Sequence, residues 1–371
     1  MTYFYDLHAL LTLASDVPLP PLAAFARPAG NPETGAEPDI HVRARGRRRK
    51  PRDGRDRLIF DEALGRFGFA IEVTFEGAIE IEASRLLRRS PHLLYTTVVE
   101  PVLRWAFLRQ GWALVDGACF ACGHDAYLIT APADTGKTMT MLTLLRRYPQ
   151  LAFLADDRCL VRADGSVLDF PKPMSLSRHT MPAVNSHVLS VRERAALAVQ
   201  SRVHSRSGRR FSQMLGRTGL PMATVTAVVE RVVPPPSFSI SRLLPHARTS
   251  HGARLRGLFL IERGAVETTR ELDHETAMKR LQANCDDAFG SPPSEALEAR
   301  LRHLGGRDWP ERERSIFDAA FAGRSATLLE SSRSEWWRPI ASGIGQPSAR
   351  PQRVAAIEGP HRTAIAVASA R

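Results

Sequence analysis

The chain contains 371 residues, of which 43% are hydrophobic, and it carries a formal net charge of +12. This length and composition can bury one large core or two modest ones. No apolar run reaches the roughly 18 residues that would cross a membrane, and the first residues lack a secretory signal. Four cysteines do not make a disulfide framework in a chain of this size. We therefore predict a cytoplasmic protein with no membrane partner.

The excess positive charge lies in two segments. Residues 41–57 hold nine lysines and arginines against two aspartates, and residues 202–217 hold five arginines and no acid, so these segments supply the whole net charge. Only Phe211 adds an aromatic ring to either segment, whereas single-stranded nucleic acids are bound largely by stacking on aromatic rings. We therefore do not expect a nucleic-acid partner. Solvated loops and contact with an acidic partner are the two alternatives.

The first 90 residues are predicted to form a β-rich region that contains the basic loop 41–57. Prolines interrupt the first 40 residues, which favours one or two strands followed by irregular chain. Apolar and polar residues then alternate on both sides of Gly77. A period of two with a glycine turn between the runs predicts a β-hairpin.

Residues 91–300 are predicted to form a central domain. The segment from Leu93 to Leu108 has apolar residues at helical spacing, which predicts a helix. The segment from Ala113 to Phe120 is predicted to form a single buried strand, and another apolar strand begins at Tyr127.

A candidate phosphate-binding loop follows the strand that begins at Tyr127. Residues 131–138 are Ala-Pro-Ala-Asp-Thr-Gly-Lys-Thr, and an apolar-periodic helix comes next. In a Walker A P-loop, backbone N–H groups at the helix N-terminus bind phosphate, the lysine reaches the outer phosphates and the following hydroxyl binds Mg²⁺. The residues expected to contact the nucleotide are Ala133, Asp134, Thr135, Gly136, Lys137, Thr138 and Met139.

Two details of this loop bear on its interpretation. Ala131 stands where the motif has its first glycine, and if that position needs a positive φ, alanine would be strained by roughly 1 kcal/mol or more. Lys137 is one of four lysines in a chain with 51 lysines and arginines, and a compact ammonium fits inside a phosphate loop better than a planar guanidinium. The alternative is an ordinary strand-to-helix turn with a solvated lysine.

Two acids follow the next predicted strand. The apolar run from Ala152 to Ala155 leads directly into Asp156 and Asp157, one helix after the loop. In P-loop proteins, the acid that orders Mg²⁺ lies at such a position; the alternative is that two adjacent acids open a turn. A polar loop with two cations and an imidazole comes soon after, and its candidate substrate contacts are Lys172, Arg178 and His179.

The remaining segments carry weaker patterns. Residues 190–220 form an arginine- and serine-rich insertion, residues 255–262 a predicted strand, and residues 273–284 and 314–321 predicted helices. We expect a helical segment over residues 301–346 and a disordered tail over residues 347–371, where periodicity is lost.

In the loop, the paired acids and the segment 172–180, the chain resembles the HPr kinase/phosphorylase-like proteins. These proteins share their core with the ATP-binding half of phosphoenolpyruvate carboxykinase. The likeness runs from about Leu93 to Thr180 and is carried by Leu-Val-Asp before the loop strand, by the loop, by Phe-Leu-Ala-Asp-Asp and by Phe-Pro-Lys-Pro. It implies an α/β fold with a mixed sheet flanked by helices, beside the N-terminal β-rich region.

The resemblance also implies ATP and Mg²⁺ as ligands and phosphoryl transfer to a hydroxyl of a protein, peptide or small molecule. Lys137 would bind the β- and γ-phosphates, and Thr138 would hold Mg²⁺ with the two aspartates. Asp156 and Asp157 would divide the ordering of the metal and the acceptance of the hydroxyl proton. Relatives often have a histidine near the end of the strand before the loop, where this chain has Asp116.

Other interpretations of the sequence stay open. Ala131 and Asp116 suggest a nucleotide-binding regulator or scaffold without transfer activity, and a carboxykinase-type enzyme is a third hypothesis. Cys119 and Cys122 have metal-ligand spacing, which His124, Cys159 and Cys285 could complete. Because residues three apart on a strand point to opposite faces, we interpret these cysteines as buried hydrophobes. The number of subunits is open, and a homo-oligomer is one of the alternatives.

Overall fold

The structure is a computed structural model. It describes residues 1–28, 37–45, 57–64, 67–75, 77–176, 237–287, 292–304 and 309–344, with a few positions between residues 180 and 228. The architecture is α/β: an N-terminal sheet and a central sheet, both mixed, are flanked by helices. The expected mixed sheet and N-terminal β-rich region are therefore confirmed.

The N-terminal sheet has six strands in the order β1-β2-β3-β6-β5-β4. They are β1 Tyr3–Leu7, β2 Leu11–Ser15, β3 Ile40–Arg43, β4 Arg57–Leu64, β5 Phe67–Thr74 and β6 Ile79–Ala83. The antiparallel pair β5 and β6 is the predicted hairpin. Residues 46–56 of the basic loop lie outside the described residues, while its ends belong to β3 and β4.

The helix predicted between Leu93 and Leu108 is present, but it contains a wider turn. It consists of α1 Pro91–Leu94, a π-helical turn Tyr95–Val99 and α2 Glu100–Arg109, and two short 3₁₀ helices, Pro20–Phe25 and Leu87–Arg89, precede it. Its predicted apolar face is buried. A π turn of this kind is an insertion that shifts the face of the residues after it.

The central sheet follows the order β15-β10-β8-β9-β16-β12-β11-β7, with β18 beside β16 and β17 beside β18. Its strands are β7 Trp112–Asp116, β8 Ala118–Cys122, β9 Asp125–Thr130, β10 Leu151–Ala155, β11 Arg158–Arg162, β12 Ser166–Leu168, β15 Arg248–Thr249, β16 Gly252–Arg263, β17 Thr268–Glu271 and β18 Ser325–Ser331. A separate pair joins β13 Met174–Ser175 to β14 Ser237–Phe238. β9 and β18 both run parallel to β16.

The single strand predicted from Ala113 to Phe120 is wrong, because the chain divides at Gly117 into β7 and β8. β7 pairs with β11, whereas β8 pairs with β9 and β10. A Cβ at Gly117 would lie 2.7 Å from Leu128 Cδ1 and 2.9 Å from the carbonyl oxygen of Ile129, so a side chain does not fit there. The strands that pair with β8 and β7 are interrupted in the same way. β10 ends at Ala155 and β11 begins at Arg158, and Asp156 and Asp157 form the break between them.

The helices cover the two faces of the central sheet. They are α3 Lys137–Arg147, α4 Ile240–Leu243, α5 His274–Asp287, α6 Pro292–Leu304, α7 Trp309–Phe321 and α8 Trp337–Gly343. The strand expected at 255–262 and the helices expected at 273–284 and 314–321 are confirmed in β16, α5 and α7. The segment 301–346 also contains β18, which the sequence pattern did not reveal. Most of insertion 190–220 and all of tail 347–371 lie outside the described residues.

One hydrophobic cluster joins the N-terminal sheet to one side of the central sheet, and a second cluster packs α3 and α8 on the other side. Cys119 belongs to the first cluster and Cys122 to the second, as expected for residues three apart on a strand. Among the described residues, no helix is both long enough and apolar enough to cross a membrane.

Candidate functional site

The candidate phosphate loop connects the C-terminal end of β9 to the first turn of α3. Asp134 has φ 58° and Gly136 has φ 136°, whereas Ala131 is not among the residues with positive φ. Ala131 is therefore not strained in the way that its place in the motif suggested. Thr140 N–H donates to the carbonyl of Gly136 at 3.0 Å, which leaves the three preceding amides at a helix N-terminus, where they have no intrahelical acceptor.

Thr138 contacts the first of the two aspartates. Its Oγ1 donates to Oδ2 of Asp156 at 2.9 Å, and Asp156 is only 3% exposed. Within the described part of the chain, Oδ1 of Asp156 is buried and has no hydrogen-bond partner. Burial, followed by the charge of Asp157, raises the pKa of Asp156 from 3.8 to about 7. The charges of Lys137 and Lys172 lower this pKa but do not offset the cost of burying the carboxyl group.

Asp157 lies in a different environment although it is the next residue. Its side chain is 45% exposed, and its Oδ2 lies 3.6 Å from Nζ of Lys172. Desolvation raises the pKa of Asp157, but the positive charges of Lys172, Arg158 and Lys137 outweigh it and lower the pKa. The two neighbouring acids therefore differ in both access and charge.

The Lys137 side chain is directed toward the C-terminal end of β7. Its Nζ donates to Oδ2 of Asp116 and, at 3.3 Å, to the carbonyl oxygen of Ala131. Asp116 is the last residue of β7 and is 6% exposed. The lysine at the phosphate position thus has a carboxylate partner inside the protein.

Asp116 is also bonded to Arg158, a residue that follows the two acids directly. Nη1 of Arg158 donates to Oδ1 of Asp116 and, at 3.1 Å, to the carbonyl oxygen of Asp157. Nε of Arg158 lies 3.5 Å from Oε1 of Glu100, which also accepts from Nζ of Lys172 at 3.2 Å. We call these side chains the charge cluster; it comprises Glu100, Asp116, Lys137, Asp156, Asp157, Arg158 and Lys172.

The charge cluster is held together by ion pairs between α2, β7, α3, β11 and the segments that follow β10 and β12. Desolvation lowers the pKa of Arg158, but Glu100, Asp116 and Asp157 outweigh it and raise the pKa, so the guanidinium is charged. Glu100 is 2% exposed, and it comes from α2, far from the loop in sequence. Buried charges persist only when they are paired, which explains why cations and acids alternate here.

The indole ring of Trp336 packs against the loop at Gly136. Cζ3 of Trp336 lies 3.0 Å from the position of a Cβ built on Gly136. Nε1 of Trp336 donates to the carbonyl oxygen of Glu262 at 3.2 Å, and Nη2 of Arg263 donates to the carbonyl oxygen of Thr135 at 3.1 Å. The end of β16 and the start of α8 therefore fix the loop, and residue 136 must be glycine because of both its φ and its contact with the ring.

The structure brings together most of the residues that the sequence singled out. Lys137, Thr138, Asp156 and Asp157 lie in one cluster, and Lys172 joins it as an internal partner of Glu100 and Asp157. Arg178 and His179 lie outside the described residues. Ala133 and Asp134 are exposed on the loop, Thr135 is buried, and Met139 is partly buried at the start of α3.

Sequence reasoning missed Glu100 and Arg158. The only signals for them were a glutamate between apolar neighbours in the predicted helix and an arginine at the start of the apolar run 159–161. A charge in such a place is expected to have a buried partner.

The cysteines are free and buried. Sγ of Cys285 accepts the backbone N–H of Asp116 at 3.3 Å, and His124 is exposed at a turn. Within the described part of the chain, no group of three or more His, Cys, Asp or Glu side chains is arranged to hold a metal ion. A metal at Asp156 would therefore need the Thr138 hydroxyl and non-protein ligands.

Comparisons with known proteins do not assign the chain to a family. No protein-family model matches the chain, and a search of curated proteins gives no match.

Proposed function

We propose that this protein is an ATP- and Mg²⁺-dependent kinase with a P-loop of the HPr kinase-like type, which transfers a phosphoryl group to a hydroxyl of a protein, peptide or small molecule. The observation that carries the proposal is the contact between Thr138 and Asp156. The hydroxyl lies at the start of the helix after the loop, 2.9 Å from a buried carboxylate whose other oxygen is unpartnered in the described part of the chain.

These two groups fit Mg²⁺. Magnesium takes oxygen ligands, keeps several waters and is usually held by one or two protein groups together with substrate phosphates. Thr138 Oγ1 and Asp156 Oδ1 are the groups that would hold it. When bound, the metal would neutralise charge on the phosphates.

The environments of the two acids support different roles. Asp156 is buried beside Thr138 and suits the metal, whereas Asp157 is half-exposed and can be reached by a hydroxyl substrate. We assign to Asp157 the acceptance of the proton from that hydroxyl. The neighbouring cations keep its carboxylate ionised, and phosphoryl transfer depends mostly on positioning and charge neutralisation, so a weak base suffices.

Incubation with γ-labelled ATP tests the proposal. Label should pass to seryl or threonyl peptides or to small hydroxy compounds in a Mg²⁺-dependent reaction, and Lys137→Met should abolish this transfer. Wild-type turnover equal to that of Lys137→Met would contradict it. Thermal unfolding of both proteins shows whether the variant keeps the fold.

A nucleotide-binding regulator without transfer activity is the second candidate. The observation that favours it is the pairing of Lys137 with Asp116 and with the carbonyl of Ala131, since a lysine held in this way is not free for phosphate. Saturable ATP binding with no transfer to any acceptor, and no hydrolysis, would select this alternative over the kinase.

A further inference from the structure

Asp116 is paired with Lys137, the cation that would bind the phosphates of a nucleotide. Lys137 Nζ bonds to Asp116 Oδ2, and the lysine side chain is only 13% exposed. Under the proposed function, the same ammonium would bind the outer phosphates, which carry the same sign of charge as the carboxylate. Asp116 and a nucleotide therefore compete for one cation.

The backbone of Asp116 is fixed on both sides. Its N–H donates to Sγ of Cys285 at 3.3 Å, and its carbonyl oxygen accepts from Oγ1 of Thr130 at 3.0 Å. Nδ2 of Asn284 donates to the same threonine hydroxyl at 3.2 Å. Asp116 is thus attached to β9 and α5, whereas Lys137 has a flexible four-carbon stem. The lysine is the partner that can move.

Arg158 makes the departure of Lys137 possible. It bonds to the second oxygen of Asp116 and lies beside Glu100. If Lys137 leaves, Asp116 keeps a buried guanidinium as counterion, so that no buried carboxylate is left alone, which would otherwise oppose the exchange strongly.

We propose that Asp116 is a positioning residue that holds Lys137 in a phosphate-free arrangement, and that a nucleotide binds by exchanging this carboxylate for its own outer phosphates while Arg158 retains Asp116. This inference rests on the proposed function. Only the fraction of molecules in which Lys137 is released binds phosphate, so the apparent affinity for nucleotide is reduced by that fraction. Asp116 thereby sets the affinity for nucleotides that carry β- and γ-phosphates.

The test is a calorimetric comparison of ATP and AMP binding, in the presence of Mg²⁺, to the wild type and variants. Asp116→Asn should bind ATP roughly five- to fiftyfold more tightly than the wild type, and AMP, which lacks the outer phosphates, with little change. In the Lys137→Met background the same substitution should have no effect on ATP affinity, because the competition needs the lysine.

Two further variants control this experiment. Asp116→Ser also removes the charge and should show the same gain if Asp116→Asn folds poorly, as judged by thermal unfolding. Asp169→Asn changes a similarly buried aspartate beside His8 and His251, and should leave ATP affinity unchanged.

The outcomes separate this inference from the proposed function. Unchanged or weaker ATP binding by folded Asp116 variants, or an equal gain in the Lys137→Met background, would overturn the exchange while nucleotide binding by the wild type stands. Failure of the wild type to bind ATP would instead contradict the proposed function, and the exchange with it.

Discussion

Thr138 Oγ1 and Asp156 Oδ2 lie 2.9 Å apart, although the two residues are 18 positions apart in the chain. The contact joins the first turn of α3 to the break between β10 and β11. Because Thr138 lies on α3 and Asp156 directly follows β10, the packing of α3 on the sheet sets the separation of the two groups.

Thr138→Val should remove the Mg²⁺-dependent part of nucleotide binding. Valine has a similar shape but no hydroxyl, so MgATP affinity should fall roughly tenfold or more, while affinity for ATP in EDTA should change little. Calorimetry with and without Mg²⁺ measures both. The matched control is Thr143→Val, further along α3, whose hydroxyl donates within the helix to the carbonyl of Met139 at 2.7 Å. Equal behaviour of the two variants would remove Thr138 from the metal site.

Asp156 should make the metal-free protein less stable as pH rises. Burial and Asp157 raise its pKa from 3.8 to about 7 in the folded protein, so folding favours the protonated form. The carboxyl group therefore costs nothing below about pH 4, and its cost grows to its full value above pH 7. Asp156→Asn should be more stable than the wild type at pH 8, by on the order of 2–4 kcal/mol, and this advantage should shrink at pH 5. Urea unfolding in EDTA at both pH values measures the difference; a difference that does not depend on pH would show that the carboxyl group is not desolvated in this way.

Asp157→Asn should affect turnover rather than nucleotide binding. A carboxamide cannot accept the proton of the incoming hydroxyl, so kcat should fall about a hundredfold or more, while ATP affinity should stay within about threefold because Asp156 and Thr138 still hold the metal. Steady-state kinetics and calorimetry give the two numbers. Asp164→Asn, in the turn between β11 and β12, provides the comparison and should change neither. A large loss of ATP affinity in Asp157→Asn with normal kcat would reverse the roles of the two acids.

Arg104→Met should destabilise the fold without changing a contact of the candidate phosphate loop. The Arg104 guanidinium is buried and bonds to Glu313 at 2.6 and 2.8 Å, to Glu298 at 2.8 Å and to Asp286 at 3.1 Å, which joins α2 to α5, α6 and α7. Removing the cation leaves the buried Glu313 carboxylate with Gln282 as a hydrogen-bond donor but with no counterion among the described residues, at a cost of about 3–5 kcal/mol. Urea unfolding measures this. Arg314→Met, which breaks the exposed pair with Asp318 on α7, should cost no more than about 0.5 kcal/mol.

Local patterns were enough to predict the elements of the site but not the contacts between its charges. The strand, loop and helix around Lys137 follow from apolar periodicity and a Gly-Lys-Thr turn, and the strand before Asp156 follows from its apolar run. The division of residues 113–120 could not be predicted, because Gly117 is required by a long-range contact with Leu128 and Ile129. A continuous apolar run gives no sign of such a contact.

The ion pairs of the charge cluster could not be predicted for the same reason. Glu100 lies on a helix, Arg158 on a strand and Lys172 in a loop, and only the packing of these elements brings the two cations within 3.5 Å of Glu100. Asp116 was noted only as a departure from relatives that have histidine, whereas the structure gives it two cationic partners. Sequence spacing predicts neighbours within an element and not between elements.

Calorimetric titration of ATP with Mg²⁺ into the wild type and into Lys137→Met tests the phosphate loop most directly. We predict saturable binding to the wild type at one site and an affinity at least tenfold lower in the variant, since the variant has lost its charge-assisted contact with phosphate. No detectable binding to the wild type, or equal affinity for both proteins, would contradict the assignment of residues 131–138 as a phosphate-binding loop.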